Sequence, residues 1–298
     1  MTASVACVGI AVLDEIFEVP ALPLAASKYP ATARREVAGG IAANAAMAVA
    51  RLGGGARLVS RVAEDSAGQR LRAVLESAGV DCAALHSPAK GSTSTSAVFV
   101  DPQGERMLVN HKDPVLFAGE PPVESFAGAD AVMSDLRWPE AARLALTTAV
   151  QAGIPAVLDY DLAPEDGADL IPLASHVIFS EGALFELAGG GHRSAALETV
   201  ARRFPEIAFA VTAGAEGAFW IAADRSGHVP ALPVLAVDTL GAGDVFHGAA
   251  ALALAEGSAF PDALRFASAA AAHKVSQPSG AAAFPTRQDV EKLMECRV

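Results

Sequence analysis

The chain is short of several things. Cysteine occurs 3 times in 298 residues, as Cys7, Cys82 and Cys296. An odd, widely spaced set excludes a disulfide framework and a cysteine-built zinc site, and fits a reducing compartment. Basic residues are scarce: 22 Lys and Arg face 34 Asp and Glu, a formal net charge of −12. Such a surface repels phosphate backbones, so nucleic acid is not an expected partner, and any anionic ligand needs a local set of donors. Aromatics are 6 %. No apolar run reaches membrane length; the richest, Val245 to Ala255, contains His247 and is too short to span a bilayer. Residues 1–4 carry no basic leader, and Asp14 and Glu15 interrupt the next apolar stretch. A soluble, cytoplasmic protein without a membrane partner is expected. Two nucleotide motifs are also missing: there is no Gly-x-x-x-x-Gly-Lys-Ser/Thr, and no Gly-x-Gly-x-x-Gly after the first strand.

What is present is a large core, with 52 % hydrophobic and 19 % charged residues. Length allows two domains, or one large α/β unit with an appendage. Val5 to Val12 reads as a buried strand, Ile41 to Leu52 as an alanine-rich helix, Arg57 to Val62 as a strand and Asp65 to Ala78 as a helix. Ser92 to Val100 and Arg106 to His111 read as a hairpin around Asp101-Pro102-Gln103-Gly104. Strands at Ala129–Ser134, Ala156–Tyr160, His176–Ser180 and Ile207–Thr212 then alternate with helices at Pro139–Ala152 and Glu165–Ala174 and from Leu184 and Ser194. Alternation of this kind implies a three-layer α/β/α, mainly parallel sheet, with ligands at the carboxyl ends of the strands. Residues 14–37 and 93–115 break the pattern with prolines and a hairpin. They are expected to form a small β lid on a core made of 1–13, 38–92 and 116–298.

The chemistry concentrates in Asp238-Thr239-Leu240-Gly241-Ala242-Gly243-Asp244, ahead of an apolar helix from Val245 to Glu256. Glycines one residue apart at a helix start bare backbone N–H groups in the positive field of the helix terminus, a hole suited to phosphate. Asp244 would be repelled by that phosphate. Its place makes sense if it takes a proton from an attacking hydroxyl; equally, from spacing alone, it is an N-terminal helix residue favoured by the dipole.

The Asp238–Asp244 stretch with Phe246 and Gly248 resembles the C-terminal signature of the ribokinase-like (PfkB) carbohydrate kinases. Gly39-Gly40-Ile41-Ala42-Ala43-Asn44 through Leu52-Gly53 resembles the N-terminal one. The resemblance implies an ATP-dependent sugar kinase, with Asp244 as catalytic base and the backbone of Gly241, Ala242 and Gly243 around the transferring phosphoryl group. It further implies Asp14, Gly39, Gly40 and Asn44 on the sugar. Thr212, Gly214 and Gly217, in a Thr-x-Gly-x-x-Gly loop, are implied on the nucleotide. The resemblance implies that Glu181 helps to organise Mg²⁺, although Ser180-Glu181-Gly182-Ala183 is off the register of the family's Asn-x-x-Glu. Asp159 and Asp161, at a strand's carboxyl end, offer an alternative Mg²⁺ shell or serve only in the turn and as helix caps. K⁺ is implied beside Asp238 and the loop from Val275 to Gly280, and a homodimer through the β lid is a further implication.

Shorter stretches, including Ser27-Lys28-Tyr29, Gly104-Glu105-Arg106, Asp135-Leu136-Arg137-Trp138 and Val245-Phe246-His247-Gly248, are similar to a narrower group, the sulfofructose kinases. That likeness implies phosphorylation of 6-deoxy-6-sulfofructose at its 1-hydroxyl, with Lys28, Asn110 and Arg137 on the sulfonate. The alternatives are a fructokinase- or ketohexokinase-like enzyme for a neutral or phosphorylated sugar, and a non-catalytic sugar sensor. The intact Asp244 and its glycines disfavour the sensor.

Overall fold

The computed structural model describes residues 2–161, 167–278 and 283–295. The chain opens with β1 (Ser4–Val8), β2 (Val12–Glu18), β3 (Ala33–Gly39), α1 (Ile41–Arg51), β4 (Gly55–Arg61), α2 (Ser66–Ser77), β5 (Leu85–His86), β6 (Thr95–Val100) and β7 (Arg106–His111). It continues through β8 (Ala131–Ser134), α3 (Pro139–Ala152), β9 (Ala156–Tyr160), β10 (His176–Ser180), α4 (Glu181–Ala188), α5 (Arg193–Ala201) and β11 (Ala208–Thr212). The hairpin β12 (Ala218–Ala222) and β13 (Arg225–Val229) follows, then α6 (Ala242–Ala255), α7 (Phe260–Val275) and α8 (Arg287–Glu295).

Nine strands form one sheet in the order β13-β12-β11-β10-β9-β8-β1-β4-β5. Pairing is parallel from β5 to β11, and only the closing hairpin is antiparallel. Alternate residues of β1 serve opposite faces: Val5 and Cys7 join one buried cluster with α1, α6 and α7, while Ala6 and Val8 join another with α3 and α5. That period of two, buried on both faces, is the physical content of the three-layer α/β/α fold.

A second sheet, β3-β2-β6-β7, stands beside the first. The expected single strand from Val5 to Val12 is two strands. Gly9 separates them at φ +144°, where a Cβ would lie 2.1 Å from the Asp135 carboxylate. That carboxylate accepts the N–H groups of Ile10, Ala42 and Arg137. It therefore ties the end of β1, the start of α1 and the end of β8 into one corner.

Other readings need correction. The helix expected over Glu165–Ala174 is a 3₁₀ turn over Gly167–Leu173 with Pro172 inside it; its expected start at Glu165 lies outside the described residues. Helix α6 begins at Ala242, so Gly241 is its N-cap, in the left-handed region at φ 73°, and Asp244 lies in its first turn. Cys7 and Cys82 are buried and free; Cys296 lies outside the described residues. No helix among the described residues is long and apolar enough to cross a membrane.

Candidate active site

Helices α1 and α6 are both rich in fully buried alanines. Where they meet, Gly248 leaves no side chain, and a Cβ there would be 2.6 Å from the Ala45 carbonyl oxygen. This close approach joins residues 200 positions apart: Asn44 Nδ2 donates to Asp244 Oδ2 at 2.7 Å. One oxygen of Asp244 is thus held, and the other is left for a second partner. Burial pushes the Asp244 carboxyl up to about 7; the nearby Asp159 adds to this and the Asn44 hydrogen bond opposes it. Above the helix, nothing lies within 4 Å of where a Gly243 Cβ would be. The first N–H groups of α6, which have no acceptor within their own helix, border that open space.

The sugar-side residues gather on the other wall. Asp14, Val37, Asn44, Gly241 and Lys274 line one cavity of about 550 Å³. Burial raises the Asp14 carboxyl to about 6, against a smaller opposing effect of the Ser96 hydroxyl. Gly39 is required here, because a Cβ would sit 2.0 Å from Asp14 Oδ2. Gly40, at φ +92°, passes so close to Ile10 that a Cβ would be 2.5 Å from its carbonyl oxygen. Val37, Asp14, Ser96 and Asn110 form one row across β3, β2, β6 and β7.

The residues singled out for an anionic substituent are not among those lining the cavity. Lys28 is exposed in the loop between β2 and β3, and Asn110 is exposed on β7. Arg137 is half-buried, 3.6 Å from Asp161. A cation not singled out from the sequence links two of them: the Lys112 amine donates to the Arg137 carbonyl and holds the end of β7 against the turn after β8.

The carboxylates assigned to Mg²⁺ do not converge. Asp159 is buried against His247, 3.1 Å from its Nδ1; Asp161 faces Arg137; Glu181 is bound by Arg193. No three His, Cys, Asp or Glu side chains among the described residues form a metal cage. These residues do not fit a protein-built metal site, because each carboxylate already has its own cationic or imidazole partner. His247 Nδ1 also lies 2.7 Å from the Gly243 carbonyl oxygen and anchors the first turn of α6. The Asp238 carboxylate is likewise engaged, accepting from Leu240 N–H and Arg106. Val275 turns its carbonyl to the N–H groups of Val237 and Asp238; Ser279 and Gly280 of that loop lie outside the described residues.

On the far side of α6, Thr212 ends β11 and its hydroxyl donates to the Phe179 carbonyl. Gly214 is open to solvent at φ +52°, while Gly217 has a packing reason, since a Cβ there would be 2.1 Å from the Val229 carbonyl oxygen. Arg193 bonds both Glu181 and Glu216, tying α4 and α5 to this loop. Arg106, Lys112, Arg193 and Lys274 were not found from the sequence. Only Arg106 stood in a motif, and the others lack any local pattern.

With this geometry in place, relatives can be weighed. The pfkB family carbohydrate kinase profile matches residues 2–287. The chain belongs to the PfkB family of carbohydrate kinases. A fructokinase of Oryza sativa is 31 % identical over 292 residues, covering 86 % of this chain and 88 % of its own length. A ribokinase of Bacillus subtilis is 28 % identical over 307 residues, covering 98 % and 99 %. Among solved structures, a provisionally assigned ribokinase of Agrobacterium tumefaciens superposes with a TM-score of 0.95 at 38 % identity, covering 99 % of this chain and 98 % of its own. As a PfkB member the protein is a phosphotransferase with an alcohol group as acceptor. Asn44, Gly241 and Asp244 lie where its two family signatures meet.

Proposed function

We propose that the protein transfers the γ-phosphoryl group of ATP to a primary hydroxyl of a ketose, and that the ketose is 6-deoxy-6-sulfofructose, giving its 1-phosphate. The observation that carries the reading is the Asn44–Asp244 pair under the open start of α6. Asp244, with a carboxyl near 7, takes the hydroxyl proton as the sugar oxygen bonds to the γ-phosphorus. The bond from that phosphorus to the bridging oxygen breaks, and ADP leaves with the electron pair. The N–H groups around Gly241, Ala242 and Gly243 stabilise the charge on the group in flight. Asp14 and Asn44, with Gly39 and Gly40 shaping the wall, orient the sugar. Thr212, Gly214 and Gly217 border the nucleotide. Mg²⁺ would then travel on the nucleotide phosphates rather than in a protein cage, and K⁺ near Asp238 would draw on backbone oxygens and Asp238 Oδ2, since Leu240 and Arg106 occupy Oδ1.

Support for an anionic sugar is the cationic end of β7, where Lys112, two residues beyond Asn110, donates to the Arg137 carbonyl. The rival is a neutral ketose, favoured by the Arg137–Asp161 pair and by the fructokinase relative. The second sheet acts as a lid over the cavity and excludes water. Its outer strand β7 is a sheet edge that leaves Leu108 and Val109 45 % and 61 % exposed, one on each side, an edge suited to a second lid in a homodimer.

A panel of sulfofructose, fructose, fructose 6-phosphate, tagatose 6-phosphate and ribose with ATP tests the reading. Sulfofructose should give the highest kcat/KM. Arg137→Ala and Lys28→Ala should lower that value roughly 10–150-fold, the equivalent of a charge-assisted hydrogen bond, and leave fructose nearly unchanged. Equal turnover of fructose and sulfofructose by the unaltered enzyme, or equal losses for both sugars in the variants, would refute the anionic acceptor.

A further inference from the structure

Lys274 has no place in the account so far. It sits in the last turn of α7 and is only 4 % exposed. Among the described residues it is the one Lys or Arg that is fully buried. Its Nζ is sealed from solvent and has no hydrogen-bond partner. Burial pulls its charge state toward the neutral amine, while Asp238 and Asp244 pull it back toward the ammonium. Neither carboxylate is hydrogen-bonded to it: Asp238 Oδ1 accepts from Leu240 and Arg106, and Asp244 Oδ2 from Asn44. The backbone at this point is pinned, because the Val275 carbonyl accepts from Val237 N–H at 2.7 Å and Asp238 N–H at 3.1 Å. The end of α7 beside Lys274 is thus tied to the loop that leads into α6. Lys274 lines the same cavity as Asn44 and Gly241.

A buried ammonium without a partner is costly in the folded chain. Asp14 and Glu36 line this cavity, and Asp238 and Asp244 act on Lys274 from close by, so an incoming phosphate would also be repelled. Both problems are relieved together if the Lys274 ammonium, sealed in this structure, turns toward the start of α6 as an anionic oxygen enters. We propose that Lys274 is a phosphoryl-binding residue, its ammonium donating to a non-bridging oxygen of the group in flight between nucleotide and sugar. The inference rests on the kinase reading above. It makes the hole two-sided, with the α6 terminus on one side and a cation from α7 on the other. The cation lies at the end of an alanine-rich helix far from either signature, where no spacing announces it.

The test is Lys274→Met, which keeps length and removes charge. Three quantities are read: the melting temperature of the free protein, kcat/KM for ATP with a turned-over sugar, and calorimetric affinities for ADP and for an ATP analogue with a non-hydrolysable β,γ bridge. The melting temperature should hold or rise, since an unpaired buried charge is removed. The value of kcat/KM should fall roughly 10–150-fold. The analogue should lose affinity while ADP, which lacks the γ-phosphoryl group, keeps its own. Unchanged kinetics, or equal losses for ADP and the analogue, overturns the proposal. If the unaltered enzyme phosphorylates no sugar, the kinase reading has failed instead, and the difference between analogue and ADP still decides the role of Lys274.

Discussion

The two flanks of α6 carry similar residues and treat them oppositely. On the sugar side, Asp14 and Asp244 are desolvated carboxylates without a bound cation, and Lys274 is a buried cation without a hydrogen-bond partner. On the Thr212–Gly217 side, the half-buried Glu181 and the exposed Glu216 share Arg193. Unpaired, dry charges are poised to change protonation or bind; paired, wet ones hold a loop in shape. The chemistry is therefore expected on the first flank, while the second contributes a platform made mostly of backbone.

That contrast can be broken by substitution. The largest effect belongs to Asp244→Asn, which keeps the Asn44 contact and removes the proton acceptor. Turnover should drop by about 10²–10⁴-fold, with ATP affinity by calorimetry almost intact; a variant keeping more than about a tenth of kcat would remove Asp244 from the role of base. Next comes Gly243→Val. Nothing lies within 4 Å of that Cβ, so the protein should fold and melt nearly as before. The side chain would fill the space over α6, misplace the phosphate and lower kcat/KM for ATP by about 10²-fold. A normal rate would place the nucleotide elsewhere. The smallest effect is expected from Arg193→Ala on the other flank. Arg193 is itself 13 % exposed, but its partners Glu181 and Glu216 are 39 % and 65 % exposed, so each pair contributes up to about 1 kcal/mol, and KM for ATP should rise less than about fivefold, with kcat unchanged. A large loss of kcat there would erase the distinction between the flanks.

Much of the layered core was legible from strand–helix alternation, because a sheet buried on both faces writes continuous apolar strands such as Val5 to Val8. The hairpin β12–β13 was not, since β13 is the polar edge strand Arg-Ser-Gly-His-Val, without an apolar face to reveal it. The glycine turn at 241–243 was legible as local backbone chemistry. What it meets was not: the Asn44 contact depends on how closely α1 and α6 pack at Gly248. Carboxylates at strand ends suggested metal ligands, but Arg137 and Arg193, arriving from other elements, claim two of them, and His247 takes the third. Lys274 shows the same limit from the other side. Its burial is a property of the assembled cavity, and the surrounding Ala-Ala-Ala-His-Lys-Val reads only as helix.

The most direct check on the account is the pH dependence of single-turnover phosphoryl transfer to the best sugar of the panel. A base must be ionised to work, and the Asp244 carboxyl is raised to about 7. The rate should therefore climb as pH increases through about 7 and level off above it, and the residual rate of Asp244→Asn should show no such limb. A wild-type rate that stays flat from about pH 5.5 to 8.5, or a limb that survives unchanged in Asp244→Asn, would contradict the assignment of Asp244 as the base.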